Sequence, residues 1–351
     1  MKRYGYLYEK IYNMENIELA HKNARKGKSH YKEVQMVDAN PQYYFQQIYG
    51  MLKNKIFRNS EYDIFIKKDR GKERQIYKLP YFPDRIIHHC IMQILEPIWM
   101  KILINDTYSS LKGRGIHKGV RRIKNALKDK DNTKFCLKLD IKKFYPSINH
   151  NVLKQIIRKK IKDKNILWLL DEIIDSTDGV PIGNYLSQYF GNLYLSGLDH
   201  YLKEQKGCKY LFRYCDDIII LYSCKNFLHK LKNTIIKYLI ELKLQLKENW
   251  QIFPVSIRGI DFLGYRFFYK YILLRKSIVK RFKRRINIIK KNWKYLNFTN
   301  ILSSIMSYLG WFKFANCFNL TKKYINITIY RIVKKVSEEN NIKNPLRRLF
   351  V

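Results

Sequence analysis

Apolar residues recur every three to four positions through residues 15–58, with Tyr44, Ile48 and Met51 on one stripe. That spacing predicts helix. A new helix is expected to begin at Asn40-Pro41-Gln42, because Asn suits the cap and Pro suits the first helical position, where no N–H is needed. The pattern then changes to alternation in YDIFIKKDRGKERQIYKLP, where a D-R-G-K turn divides two short runs, so a hairpin is predicted. Helical spacing returns over 83–104. KFCLKLDI, residues 134–141, is an apolar strand ending near Asp140, and residues 151–175 are again helical. DGVPIGNYLSQYFGNLYLSGLDHYL is a Gly-Pro turn followed by a long helix. YLFRYCDDIIILYS is a strand, a pair of acids and another strand; an amphipathic helix follows over 226–246. GIDFLGYRFFYKYILL predicts a last hairpin, and from Ser277 the chain is basic and helical. Strands and helices interleave through short loops, so the class is α+β or α/β.

Charge changes the picture more than length does. The 351 residues suffice for two or three packed subdomains. Lys and Arg outnumber Asp and Glu by 69 to 29, a net charge of +40. An apolar fraction of 46% with 15% aromatics excludes a disordered basic tail. The charge repels itself, and a polyanion would relieve it; nucleic acid is the natural candidate, since each neutralised phosphate releases counterions. Abundant Lys, Ile, Asn and Tyr also fit an AT-rich coding sequence. No apolar run is long enough to span a bilayer, and the charged N-terminal stretch lacks the apolar centre of a secretory signal, so no membrane partner is expected. The 6 cysteines include no C-x-x-C pair, which argues against zinc and for a reducing, cytoplasmic setting.

The strongest anomaly is chemical. Asp216 and Asp217 stand side by side between Leu211-Phe212 and Ile218-Ile219-Ile220, and Asp140 closes another apolar strand. Adjacent like charges at a hairpin tip cost free energy unless a cation neutralises them. Three carboxylates at strand ends suit two Mg²⁺ ions, which prefer oxygen ligands and keep substrate phosphates in their shell. Such a pair, roughly 4 Å apart, can activate a hydroxyl and stabilise a leaving pyrophosphate.

These segments together resemble the reverse transcriptases. Phe212-Arg213-Tyr214-Cys215-Asp216-Asp217 is similar to their Tyr-x-Asp-Asp signature, and Leu139-Asp140 through Ser147-Ile148 to their first aspartate motif. Gly179-Val180-Pro181-Ile182-Gly183 with Ser187-Gln188 resembles the motif between them, and Phe262-Leu263-Gly264-Tyr265 the primer grip. Lys72 and Arg74 match the fingers motif ahead of Asp84-Arg85-Ile86. The order is the family's, and the resemblance runs from about residue 15 to 330.

The resemblance implies an α+β right-hand polymerase with fingers, an antiparallel palm sheet and a helical thumb. Residues 1–60 would form an N-terminal helical basic extension, 61–265 the fingers and palm core, and 266–351 the thumb. It implies an RNA-directed DNA polymerase adding dNTPs to a primer by two-metal nucleotidyl transfer. Asp140 and Asp216 would ligate both Mg²⁺ ions (Mn²⁺ as substitute), the Ile141 carbonyl would join one, and Asp217 would complete the acidic cluster. Lys72 and Arg74 would embrace the triphosphate. Tyr145 would pack under the sugar and exclude a 2′-OH, or Phe144 if the register shifts by one; Ile182, Gly183 and Gln188 would line the nascent pair. Lys247 stands where the family places a lysine that protonates pyrophosphate, with Lys243 nearby.

Two departures narrow the expectation. Many reverse transcriptases carry Gln where this chain has Ile182, and the Ile form resembles enzymes of diversity-generating retroelements, associated with error-prone copying opposite adenine, and related defence enzymes. The chain also ends soon after the thumb, leaving no room for a ribonuclease H, endonuclease or intron-maturase extension. The implied partners are an RNA template, a DNA or RNA primer, a dedicated noncoding RNA and a small accessory protein, with self-association left open. Lys280, Arg281, Lys283, Arg284, Arg285, Lys290, Lys291 and Lys294 give the thumb a cationic helix face suited to an RNA–DNA hybrid. A non-catalytic RNA-binding maturase is the reading from another class. The intact acids argue against it, since a pure binder gains nothing by repelling phosphate there.

Overall fold

The N-terminal residues coil into four short helices, two of them opened by a local signal. In the computed structural model, which describes residues 3–69, 71–339 and 345–346, these are α1 (Tyr8–Tyr12), α2 (Met14–Ala24), α3 (Lys32–Ala39) and α4 (Pro41–Lys53). Asn13 caps α2 by accepting from the Glu15 amide. Pro41 opens α4 as expected, while the Asn40 side chain makes no capping bond. The predicted hairpin is β1 (Asp63–Asp69) with β2 (Lys72–Lys78), antiparallel in the register Lys67↔Arg74 and Asp69↔Lys72.

Then come α5 (Ile86–Ile102), α6 (Ile116–Ala126), β3 (Phe135–Asp140), α7 (His150–Arg158), α8 (Lys164–Ile174), α9 (Ser187–Tyr194) and α10 (Ser196–His200). Strands β4 (Tyr210–Tyr214) and β5 (Asp217–Tyr222) precede α11 (Lys225–Glu241), β6 (Gln251–Pro254) and α12 (Val255–Arg258). The chain closes with β7 (Ile260–Phe262), β8 (Tyr265–Phe267), β9 (Ile272–Leu274), α13 (Lys276–Asn292), α14 (Phe298–Phe312), α15 (Phe318–Tyr324) and α16 (Ile327–Glu339). Among the described residues no helix is long and apolar enough to cross a membrane.

Three differences from the periodicity have local causes. The helix expected over 151–175 breaks into α7 and α8, because residues 160–162 turn away to bond Tyr4 on both its N–H and its carbonyl. Asp163 then caps α8 and also accepts from the Leu7 and Tyr8 amides. The long helix expected after the Gly-Pro turn starts only at Ser187 and is interrupted at Leu195. The last hairpin is a three-stranded meander, β7-β8-β9, because Leu263-Gly264 turns the chain one strand earlier.

By its internal contacts the chain divides into two units. The first comprises the chain up to Gly115 with Leu137–Leu221 and Lys225–Ile252; the second comprises Ile116–Cys136, Tyr222–Cys224 and the chain from Phe253 onward. The first unit is built on a sheet of order β4-β5-β3-β6. Strand β5 is interior, so Ile218, Ile219 and Ile220 are all buried and the run carries no polar alternation. In the second unit, Ile278, Phe282, Ile286 and Ile289 bury one stripe of α13, and Phe282 meets the rings of Tyr308, Phe312 and Tyr324. Lys280, Arg281, Arg284 and Lys291 are exposed on α13, whereas Arg285 turns to α14, donating to Ser304 Oγ and the Asn300 carbonyl.

Candidate active site

The two acids of the hairpin tip are presented by a tight turn. Tyr214 and Asp217 are the closing pair of β4 and β5, leaving Cys215 and Asp216 as a two-residue loop. Such loops demand a left-handed residue, and Cys215 takes that role at φ 58° without being glycine. Two contacts hold it there: its carbonyl accepts from Arg213 Nη1 at 3.1 Å, and its thiol donates to Tyr145 Oη at 3.2 Å.

Arg213 is wholly buried and fully bonded. Its Nε donates to both Asp199 carboxylate oxygens at 2.9 Å, its Nη2 to Asp199 Oδ2 at 2.5 Å, and its Nη1 to Asn192 Oδ1 at 3.2 Å. A buried ion pair of this kind persists only when every polar atom is satisfied. It ties α9 and α10 to the strand that carries the turn. Sequence alone marks Arg213 only as part of the Tyr-x-Asp-Asp segment, with no role of its own; its partner lies in another element.

Asp140 ends β3, which neighbours β5 in the sheet. Its Oδ1 accepts from Lys247 Nζ at 2.6 Å, both side chains being about one third exposed. The backbone explains the meeting. Ile141 bridges Leu246, Lys142 N–H donates to Gln245 O at 2.8 Å, and Lys247 N–H donates to Asp140 O at 2.9 Å. The strand-like pairing delivers Lys247, rather than Lys243, to the acid.

The Asp216 carboxyl is held above the ordinary carboxylate range, first by burial and then by the negative charge of Asp140. Lys247 pulls in the opposite direction. Asp217 faces Lys138, Nζ to Oδ2 at 4.0 Å. Among the described residues no three His, Cys, Asp or Glu side chains converge closely enough to hold a metal ion by themselves. What the fold brings together is a coupled pair, Asp140 and Asp216, with the Ile141 backbone alongside. A hard cation that keeps water and phosphate in its shell needs no more than one or two carboxylates, so this oxygen donor set fits Mg²⁺.

Tyr145 joins this cluster, and the Phe144 ring packs against the Tyr145 ring with centroids 5.3 Å apart. Phe144 is buried in the core, while Tyr145 is half-buried with its hydroxyl at the Cys215 turn. Burial, then the neighbouring Cys215 and Asp216, drive the phenol well above its ordinary pKa. Both rings lie on Gly191 of α9, where an added Cβ would meet each at 3.1 Å.

The middle motif docks on β2: Tyr77 N–H donates to the Ile182 carbonyl at 2.8 Å. Gly183 sits at φ 122° with the Tyr77 carbonyl 2.5 Å from where a Cβ would stand, so only glycine fits this approach. Arg74 and Gln188 are exposed on β2 and α9, and the side chain of Lys72 lies outside the described ones.

Comparison with known proteins agrees with this arrangement. The family model described as reverse transcriptase (RNA-dependent DNA polymerase) matches residues 66–267. Protein YkfC of Escherichia coli (strain K12) is 26% identical over 155 residues, which cover 40% of this chain and 40% of that protein. The group II intron-encoded protein LtrA of Lactococcus lactis subsp. cremoris is 25% identical over 154 residues, 41% of this chain and 25% of that protein. The matched region thus spans less than half the length of these relatives. Among solved structures, telomerase from Candida tropicalis in complex with a TWJ fragment of telomeric RNA superimposes with a TM-score of 0.51 at 17% identity, covering 81% of this chain and 54% of that one.

Proposed function

Since the chain belongs to the reverse transcriptase family and has its α+β right-hand polymerase fold, we propose that it is an RNA-directed DNA polymerase, extending a primer with dNTPs on an RNA template. One observation carries this reading: β3 lies beside β5 in the sheet, so Asp140 at the end of β3 and Asp216 in the turn that opens β5 are brought into one charged site, where each carboxylate feels the other. Asp140, Asp216 and the Ile141 carbonyl would hold Mg²⁺, with Asp217 beside them. Bound there, the metal supplies concentrated positive charge at the reacting phosphate.

The chain's own residues do the rest. Lys247, fixed at Asp140, holds a proton where pyrophosphate would leave and can donate it to that group. Tyr145, anchored by the Cys215 turn and Gly191, presents a ring edge where a 2′-OH would clash, favouring deoxynucleotides. Gly183 and Ile182 seat the loop after Gly179 on β2, whose Lys72 and Arg74 would embrace the triphosphate.

The test is primer extension on an RNA template with Mg²⁺. Asp216→Asn is expected to abolish dNTP addition, at least 10³-fold, while leaving the thermal melting point within a few degrees. An equally active variant sinks the reading.

The finer assignment is error-prone cDNA synthesis in a diversity-generating retroelement, with a dedicated noncoding RNA and an accessory protein as partners. Its support is Ile182, an apolar side chain where the resemblance places glutamine. Sequencing the cDNA products checks it. Substitutions concentrated opposite template adenine are expected, and uniform fidelity refutes it. The neighbouring genes separate the two programmes: a template repeat beside a variable-repeat target supports diversity generation, and an isolated gene with a structured RNA in a defence island would instead assign the chain to phage defence.

A further inference from the structure

The second unit holds a cavity of about 460 Å³ remote in composition from the acidic site. Its walls come from three segments. Helix α6 buries Val120, Ile123 and Ala126, which turns Arg121 and Lys124 outward into the cavity. The turn between β8 and β9 contributes Lys270 and Tyr271, and the segment after α14 contributes Lys313 and Phe314.

The site is built rather than incidental. The turn is closed by Phe268 N–H donating to Tyr271 O at 2.9 Å, with the two rings 4.6 Å apart. The segment after α14 is pinned to β9 by reciprocal bonds: Asn316 N–H to Ile272 O at 2.7 Å and Ile272 N–H to Asn316 Oδ1 at 2.9 Å. Phe314 is stacked on His117 at 4.2 Å and 19°. The His117 imidazole is held below its ordinary pKa, by burial first and then by the charges of Arg121 and Lys313.

Four cations thus converge on a space that no acidic side chain lines among the described residues. That arrangement is self-repelling until an anion enters. Tyr271 is 43% exposed at the edge of this space, its ring backed by Phe268 on one side. Cations beside an open aromatic face are the two components of single-strand recognition: phosphates meet the charge and bases stack on the ring. A duplex keeps its base faces covered and would use only the charge.

We propose that this cavity binds an unpaired nucleic-acid strand, its phosphates on Arg121, Lys124, Lys270 and Lys313 and a base on Tyr271. The site is independent of the catalytic acids and requires nothing of the polymerase reading.

The test is fluorescence anisotropy of the full chain with labelled oligouridylate and oligothymidylate of about ten nucleotides, across a salt series, without dNTP or primer. A triple variant, Arg121→Gln with Lys124→Gln and Lys313→Gln, is expected to bind at least tenfold more weakly. Its slope of log affinity against log salt should fall by about 2, since each single-strand phosphate contact contributes roughly 0.7. Tyr271→Ala should lose several-fold in affinity with the slope unchanged. All four side chains are exposed, and unchanged circular dichroism melts would verify the fold. Tighter binding of the RNA probe marks template or structured RNA as the source of the strand, and tighter binding of the DNA probe marks the product strand. The inference falls if Tyr271→Ala binds as wild type, or if the triple variant keeps the wild-type salt slope.

Discussion

His88 shows how much one buried side chain can say about conditions. It is 2% exposed on α5, and its Nε2 finds no hydrogen-bond partner among the described residues. Burial, then the charges of His89 and Arg85, pull its pKa from 6.5 down to about 3. The unfolded chain therefore takes up a proton near 6.5 that the native chain refuses until about 3. The contribution to stability is whole above the unfolded value and declines as pH falls through that window, by about 1.4 kcal/mol per pH unit. Between pH 7 and 5 the wild-type chain should lose about 2 kcal/mol more than His88→Met, read from urea midpoints. Equal losses would show that the imidazole is not buried neutral. At this scale the acids were legible, because Asp140 and Asp216 stand at the ends of apolar strands, where charge is conspicuous. Their neighbours were less so. Lys247 reached its place through resemblance, and its bond to Asp140 depends on a backbone pairing between distant segments. Asp199 gave no sign that it would meet a buried arginine.

Elements depend on closeness as well as on pattern. The loop after Gly179 reaches β2 only because Gly183 lacks a side chain. Gly183→Ala forces a Cβ to 2.5 Å from the Tyr77 carbonyl at φ 122°, so a loss of about 1–3 kcal/mol is expected in chemical denaturation. Gly50→Ala provides the opposite sign: it lies within α4, nothing stands within 4 Å of the added methyl, and a gain of about 0.5–1 kcal/mol is expected. If both substitutions cost the same, steric approach is not what selects glycine at 183. Strands β3, β4 and β5 were readable from apolar runs punctuated by acids. The break between α7 and α8 was not, since KKIKDK carries neither Gly nor Pro and the interruption is made by Tyr4 from the far end of the unit. The extra strand β9 escaped notice because its apolar residues continued a run that already read as half a hairpin.

For the whole molecule the governing quantity is charge. A net +40 with exposed cations on α6 and α13 makes nucleic-acid affinity an ionic-strength phenomenon. With six or more phosphates neutralised, log affinity for a single-stranded RNA should fall against log salt with a slope of at least about 4, measured between 50 and 300 mM salt. A slope near zero would mean that the positive surface is solvated charge and nothing more. The polymerase fold itself was legible from the ordered motifs, but the partition of the chain into its two units was not. No composition shift marks Ile116–Cys136 as belonging with residues that come more than a hundred positions later.

That partition bears on synthesis. During translation α6 emerges long before β8, the strand it packs against within its own unit. Until β8 has been made, Val120 and Ile123 lack the strand that helps cover them, and the nascent chain carries that apolar flank exposed. Severing the gene at any single codon between the two would orphan the helix permanently, so split or truncated versions must carry α6 on the same fragment as the meander.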